Sequence, residues 1–290
     1  MKAEGHNGDG RRPAGAGQVG PARRRTPWPL VVVAVLFVVV PFLTWYLTWF
    51  GRPLSDEKIE EYLRGDNPRR AQHALSQVAE RAAAGDAGAS RWFPQVLALA
   101  ESPVTDLRMT AAWVMGEEHR SEEFRAALHK LSEDPEPIVR RNAALALVRF
   151  GDARGRPELL AMLRPYPVMA QTEGTVETAL AEGTPVKRDS VLVRYRLKPN
   201  LVREVRAPFP GRVLKSRAVS GGEFRAGDEL FVLASDAEQV QDALVGLAYL
   251  GTAEDLPEIE RYVRGVEGMP DGVKQQAALT AEAVRRRSAQ

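Results

Sequence analysis

An internal repeat of helical character constrains this chain of 290 residues more than any other feature. The stretches at 101–118 and 133–152 share a turn with an acidic residue and a proline, then an arginine, then two adjacent alanines. Arg108 and Arg140 lie 32 positions apart, and the alanine pairs have the same offset. A shorter amphipathic segment precedes each copy. Because one such unit cannot bury its apolar face alone, the repeat predicts stacked helix pairs with a continuous core.

Weaker copies of the unit lie at both ends of the main body. A pair of amphipathic segments begins it at 56–85, and a segment ending in three arginines closes it at 271–287. A charged last helix suits a capping repeat, which must face water. We therefore expect helical repeats over 54–165 and again over 237–290.

These repeats resemble the HEAT-like family, in particular the short variety that phycobilin lyases also contain. Members of that family stack an Asp before the second helix against an Arg inside it, which forms a ladder between repeats. Asp134 and Arg140 have this spacing of six, and Arg108 is the matching arginine of the preceding copy. Ser102 stands where that copy would carry its Asp, so the resemblance implies an incomplete ladder. It also implies an extended surface that binds another protein.

The helical pattern stops at 166–236, and this stretch contains a duplication of its own. The segments at 173–195 and 210–233 share Gly-x-Val, then a second Gly, then an apolar residue followed by a basic one, and each segment has apolar residues near its end. Alternating apolar residues predict strands, and the glycines predict tight turns. Because the segments on either side match the two helices of one repeat, we expect an all-β domain inserted into the turn of that repeat.

This duplication resembles the biotinyl/lipoyl-type barrel-sandwich hybrid of carrier domains and of HlyD-type membrane fusion proteins, which are periplasmic adaptors. The segment VRAPFPGRV at 205–213 is similar to the start of the second half in both groups. In carrier domains a modified lysine lies on the hairpin between the halves, and Lys198 is the candidate here. Pro199 follows it directly, and the hairpin is too short for the long coiled coil of a complete efflux adaptor.

An apolar run at 28–50 predicts a transmembrane helix. Its uncharged part would span about 30 Å as a helix, which is the thickness of the hydrocarbon core of a bilayer. The interface anchors of this helix would be Trp28, Trp45, Tyr46 and Trp49. Arginines at 23–25 precede the run, so the positive-inside rule places the tail at 1–27 in the cytoplasm and the later domains in the periplasm. The tail is rich in Gly, Pro and Arg and is expected to be disordered.

The amino-acid composition excludes several kinds of functional site. The chain has no cysteine, so it cannot contain disulfides, thiolate nucleophiles or Cys-ligated metals. Its four histidines are not arranged in an HExxH motif, and we expect no metal site. The net charge is only +2 and the tail carries six of the basic residues, so the body offers no basic patch for nucleic acid. No catalytic residue and no cofactor are predicted.

The sequence therefore predicts an α+β multidomain protein. An N-terminal transmembrane helix precedes an α-solenoid of HEAT-like helix pairs, which an all-β barrel-sandwich hybrid interrupts. The predicted function is that of a non-enzymatic bacterial scaffold that binds other proteins of an inner-membrane complex. Two alternatives stay open: a periplasmic adaptor-like component of an efflux or secretion system, and a carrier domain that uses a modified Lys198.

Overall fold

A computed structural model of the protein describes residues 32–33, 35–42, 54–198 and 201–289. The chain divides into two compact units, Met1–Pro53 and Leu54–Gln290, and each is described by itself. Only a short part of the first unit is described, whereas the second unit is described almost throughout.

The described part of the first unit is helical at 32–33 and at 35–42, the latter named α1. A helix of that length extends for only about 12 Å. Among the described residues, no helix has both the length and the apolar character that crossing a bilayer requires. The predicted transmembrane helix at 28–50 is therefore wrong, and so is the single-pass inner-membrane localisation deduced from it. Outside the described residues lie the tail at 1–27 and the expected interface anchors Trp28, Trp45, Tyr46 and Trp49.

The ten described α-helices of the second unit form five pairs, and in each pair the second helix is the longer one. The first three pairs are α2 (Asp56–Arg64) with α3 (Pro68–Ala83), α4 (Phe93–Leu99) with α5 (Thr105–Glu117), and α6 (Glu122–Leu131) with α7 (Pro137–Arg149). The last two are α8 (Arg156–Met162) with α9 (Ala237–Leu250), and α10 (Leu256–Arg264) with α11 (Asp271–Ser288). Short 3₁₀ turns precede α4, α8 and α10, at Ala87–Trp92, Ala153–Gly155 and Ala253–Asp255. The predicted helical repeat is confirmed.

Local sequence explains where several helices begin. Asn67 caps α3 by accepting hydrogen bonds from the backbone N–H groups of Arg69 and Arg70, at 3.1 and 3.2 Å. Ser121 caps α6 in the same way, accepting from the N–H of Phe124 at 3.2 Å. Both α3 and α7 have proline in the first turn, where the missing N–H costs no bond inside the helix. Polar capping residues and prolines thus determine where α3, α6 and α7 begin.

The second helices of the pairs pack side by side in the order α3, α5, α7, α9 and α11. Helix α7 contributes to two hydrophobic cores: Ala143 and Leu147 belong to the core of the first three pairs, and Ala144 belongs to the core of the last two. The contact of α5 with α7 depends on a glycine. A Cβ atom added at Gly116 would lie 3.1 Å from the Cβ of Ala146, which is closer than two carbons normally pack.

Eight β-strands lie between α8 and α9. They are β1 (Tyr166–Met169), β2 (Gly174–Ala179), β3 (Pro185–Val186), β4 (Val191–Lys198), β5 (Leu201–Arg206), β6 (Gly211–Ser216), β7 (Glu223–Phe224) and β8 (Glu229–Ser235). They form two antiparallel sheets with the orders β1-β8-β6-β3 and β5-β4-β2-β7. The short strand of each duplicated half joins the sheet of the other half, because β3 pairs with β6 and β7 pairs with β2. Both sheets contribute to one core, which includes Val193, Val213 and Phe231.

Both sheets are open. In the described ladders, β1 does not pair with β3, and β5 does not pair with β7. The predicted fold class is therefore corrected: the all-β barrel-sandwich hybrid is not supported, and the chain is a mixed α/β structure with two open antiparallel sheets. The duplicated pattern specifies strands, turns and alternating burial, whereas closure depends on hydrogen bonds between distant strands, which such a pattern does not encode.

The strands are held against the beginnings of α5 and α7. Ser235, at the end of β8, donates a hydrogen bond to the carbonyl of Met162 at the end of α8, at 2.8 Å, so the chain enters and leaves the strands at one point. Ile138 in the first turn of α7 packs against both the helical core and the core of the strands. Arg188 forms an ion pair with Asp106 in the first turn of α5.

Replacing Gly246 by alanine is expected to lower the free energy of unfolding by about 1–3 kcal/mol. A Cβ atom there would lie 2.9 Å from Cδ1 of Leu159 and 3.0 Å from Cγ2 of Val148, so these packed side chains or α9 itself would have to shift. Chemical denaturation measures the change. Gly272 in α11 is the matched control, because nothing lies within 4 Å of a Cβ atom added there. Gly272→Ala should be neutral or slightly stabilising; equal stability of the two variants would contradict the close packing of α9.

Candidate functional site

A groove of about 910 Å³ crosses α5, α7 and α9. Its lining residues on α9 recur at a spacing of three or four positions and therefore share one helix face. They include Asp242, Val245, Gly246 and Tyr249. Those from α5 and α7 include Trp113, Glu117, Asn142, Ala146 and Arg149. The groove is thus built from three helices that follow one another in the stack.

Large apolar side chains in this groove are open to solvent. Trp113 is 43% exposed, Val245 is 40% exposed and Tyr249 is 69% exposed. Contiguous apolar patches on a protein surface can mark interaction sites. Aromatic residues are also the commonest energetic anchors of protein interfaces. The groove is therefore a candidate binding surface.

Charges in the groove are not balanced. Arg149 pairs with the carboxylate of Glu117 and also donates a hydrogen bond to the carbonyl of Gly116 at 3.2 Å. Asp242, by contrast, has no ion pair or side-chain hydrogen bond with any residue that the structure describes. The Asp242 side chain is exposed, yet partial loss of water around its carboxyl raises its pKa above the ordinary value, and the carboxylates of Glu238 and Asp236 raise it further. Asp242 is therefore the charged lining group that lacks a counter-charge.

Two of the predicted ladder residues meet between neighbouring repeats. Arg108 of α5 donates two hydrogen bonds to the carboxylate of Asp134, at 2.7 and 3.0 Å, and a third to the carbonyl of Ser102 at 2.9 Å. The side chains of Arg108 and Asp134 are only 13% and 6% exposed. Burial alone would raise the pKa of Asp134, but the hydrogen bonds from Arg108 and from the N–H of Glu136 outweigh it and lower the pKa below its ordinary value. This bridge links the second helix pair to the third.

Arg140 of α7 repeats the arrangement with a different acceptor. It donates a hydrogen bond to the carbonyl of Asp134 at 2.8 Å, as Arg108 does to Ser102. Its Nε donates to the carboxylate of Glu158 in α8 at 3.0 Å. Because the eight strands replace the short turn of the fourth pair, the carboxylate comes from a helix instead. Asp134 and Arg140 are thus joined through the backbone of Asp134 and not through its carboxylate.

Arg141 is a contact that the sequence pattern does not indicate. Its side chain is only 3% exposed, and its guanidinium carbon lies 3.4 Å from the centre of the Phe209 ring, which belongs to the core of the strands. It also donates a hydrogen bond to the side chain of Gln239 in α9. Burial lowers the pKa of Arg141 to about 10, so the side chain remains protonated at neutral pH. Arg141 therefore ties the strands to the helices from the inside.

Lys198 lies at the end of β4 and pairs with Leu201 of β5 across the hairpin. Its side chain is exposed, and positions 199–200 lie outside the described residues. The modification of Lys198 stays a prediction. Among the residues that the structure describes, no group of three or more acidic or histidine side chains could hold a metal ion.

Sequence reasoning does not find the groove residues. Trp113 and Tyr249 lie in different repeats, and a pattern of apolar spacing does not tell which large residues remain exposed after the helices stack. Trp113 directly follows Ala111 and Ala112, which occupy the buried side of α5. Its position after this alanine pair was the one signal that its side chain lies away from the buried side. Asp242 carries no comparable signal, since acidic residues are common on the solvated face of a helix.

Comparison with known proteins identifies the helical repeats. A family model described as HEAT repeats matches residues 93–172. The complex of CpcE and CpcF of phycocyanin lyase from Nostoc sp. PCC7120 is similar over 82% of this chain and 67% of that chain, with 16% identity and a TM-score of 0.45. A single-chain, multi-domain long-chain acyl-CoA carboxylase is similar over 34% of this chain, with 21% identity and a TM-score of 0.24.

This chain corresponds to only 10% of the carboxylase. No curated protein matches it. At these TM-scores, no activity of the lyase or of the carboxylase is carried over to this chain. The chain therefore contains HEAT repeats, which confirms this part of the predicted resemblance, whereas the resemblance of the strands to HlyD-type proteins is not supported.

Replacing Asp134 by asparagine is expected to lower the free energy of unfolding by about 3 kcal/mol at neutral pH, because the Arg108 guanidinium is left buried without a counter-charge. The folded-state pKa of Asp134 is depressed, so its stabilising contribution is present above its ordinary pKa of 3.8 and is lost as the pH falls through the lower folded value. The difference in stability between wild type and variant should therefore be full at about pH 7 and shrink below about pH 4.

Denaturant titrations over this pH range measure the difference. Glu101→Gln is the matched control, because the pair of Glu101 with Lys130 also joins two repeats but its side chains are 75% and 77% exposed. That variant should leave the free energy of unfolding nearly unchanged at every pH. An Asp134→Asn variant as stable as Glu101→Gln would show that the buried bridge does not stabilise the stack.

Proposed function

We propose that this chain is a non-enzymatic protein-binding scaffold that holds a partner polypeptide in the groove of α5, α7 and α9. The observation that carries the proposal is the exposure of Trp113 and Tyr249 in one groove. HEAT repeats support it, because stacked helix pairs expose a continuous surface that typically binds another protein. The matched repeats at 93–172 include α5 and α7, which form two of the three walls.

The groove is suited to holding a partner in place. Among its described lining residues, the charged groups are one ion pair and one carboxylate, and no nucleophile lies beside a base. Ala146 and Gly246 line it where the helices pack most closely, so this part of the surface is formed before a partner arrives. A preformed surface lowers the cost of ordering on binding.

Three other predicted roles have less support. The inner-membrane complex depended on the transmembrane helix, which the described residues do not support. The efflux or secretion adaptor depended on the barrel-sandwich resemblance, which the open sheets do not support. The carrier function has no supporting contact beyond the exposed position of Lys198, and the intact mass of the native protein tests it.

A photo-crosslinking amino acid at position 245 tests the groove in the native host. Val245 lies in the groove, and Leu279 in α11 is a matched control because it is 61% exposed but lies outside the groove. We expect a discrete adduct of higher mass from position 245 and none from position 279. Replacing Trp113 and Tyr249 together by alanine should reduce the adduct more than about tenfold, because aromatic anchors supply much of the free energy of binding.

The thermal midpoint of the double variant checks that the fold is intact. An adduct that forms equally well from positions 245 and 279 would mean that the groove is not the binding site. An adduct from position 245 that survives the loss of both aromatic rings in a folded variant would lead to the same conclusion.

A further inference from the structure

Backbone chemistry limits the kind of segment that the groove can hold. Its walls are α-helices, whose backbone N–H and C=O groups are already bonded within each helix and offer no ladder to an extended strand. A helix satisfies its own backbone and needs only side-chain contacts from its receptor. The wall that α9 presents runs from Asp242 to Leu250, which is about 12 Å. The groove therefore fits the apolar side of about two helical turns.

Charge distinguishes the end of the groove at which Asp242 lies. Glu117 and Arg149 neutralise each other, whereas Asp242 has no cation among the described residues. The carboxylates of Asp236 and Glu238 also act on Asp242, and both are negative. Arg141 acts on Asp236, but no described cation pairs with Asp242, so the Asp242 carboxylate leaves a negative charge at this end of the groove.

The aromatic residues of the groove favour a ligand of positive charge as well. Trp113 and Tyr249 line the groove together with Asp242, and the faces of such rings attract cations. A lysine or arginine can lay its aliphatic stem along an aromatic surface while its charged end reaches a carboxylate. The aromatic rings and the carboxylate therefore both favour a bound segment that carries basic side chains.

We propose that the groove binds an amphipathic helix of a partner protein, and that a lysine or arginine on the apolar side of this helix pairs with Asp242. The inference rests on the proposed function and adds the conformation and the charge of the bound segment. Trp113 and Tyr249 bind the apolar side chains of the helix and provide affinity, whereas Asp242 determines the specificity for a basic residue. A helix with an acidic residue at the matching position is rejected, because like charges would face each other.

A display library of helical peptides tests the inference on the full-length chain. The peptides have about 18 residues, a fixed apolar stripe and one central stripe position that is Lys, Arg, Gln or Glu. Peptides with Lys or Arg should be enriched about tenfold over those with Gln, and more strongly over those with Glu. Asp242→Asn should abolish this preference, and Asp242→Lys should reverse it towards Glu. Replacing Trp113 and Tyr249 together by alanine should remove binding of all four classes.

Glu238→Gln is the matched control, because Glu238 lies one turn before Asp242 on α9 but does not line the groove. It should keep the preference for Lys and Arg. The same loss of preference in Glu238→Gln and Asp242→Asn, or equal enrichment of the four classes, would overturn the pairing with Asp242 while leaving groove binding intact.

The other outcomes are separated from the proposed function by the crosslink at position 245. If no helix is enriched although the adduct forms in the native host, the helical conformation is overturned and the scaffold function stands. If the adduct has twice the mass of the chain, the occupant is a second copy of this chain and the inference is wrong. If neither a helix nor an adduct is found, the proposed function fails together with the inference.

Discussion

Close packing of α5 on α7 depends on the missing side chain of Gly116, which leaves room for Ala146. The same kind of contact recurs where Gly246 lets α9 approach Val148 of α7 and Leu159 of α8. These crossings bring the second helices of successive pairs side by side, and apolar side chains fill the cores to which α7 contributes. The groove is formed by α5, α7 and α9, and the strands pack against the beginnings of α5 and α7. Both therefore depend on how closely these helices approach each other.

The eight strands form part of the helix stack because buried groups connect them to it. A buried arginine is costly unless its charge and its N–H groups find partners. Arg141 has the ring of Phe209 against its guanidinium, a hydrogen bond to Gln239 and the carboxylate of Glu158 at 3.9 Å, although its Nε has no hydrogen-bond partner among the described residues. Since these partners come from the strands, from α9 and from α8, a single side chain of α7 fixes three parts of the structure.

Charged residues have two different roles in the stack. Asp134 is buried and receives hydrogen bonds from Arg108 and from the backbone, and its lowered pKa reflects a carboxylate whose needs are met within the fold. Asp242 lines the same groove as the exposed rings of Trp113 and Tyr249 and pairs with no described cation, and partial desolvation together with the carboxylates of Glu238 and Asp236 raises its pKa. We expect the first arrangement to stabilise the protein and propose that a partner pairs with the second.

The sequence by itself determined the local elements. The repeat with its acidic-proline turn and amphipathic segments predicts the helix pairs, and alternating apolar residues with glycine turns predict strands, because these signals act over a few residues. Hydropathy predicted a transmembrane helix at 28–50 that the described residues do not support, and a repeated strand pattern did not decide whether the sheets close. Only the tertiary structure determined which residues line the groove, since Trp113 and Asp242 are 129 positions apart in the chain. It also decided that Trp113 is exposed while Arg141 is buried, because burial depends on which helices and strands come into contact and not on the residue's own preference.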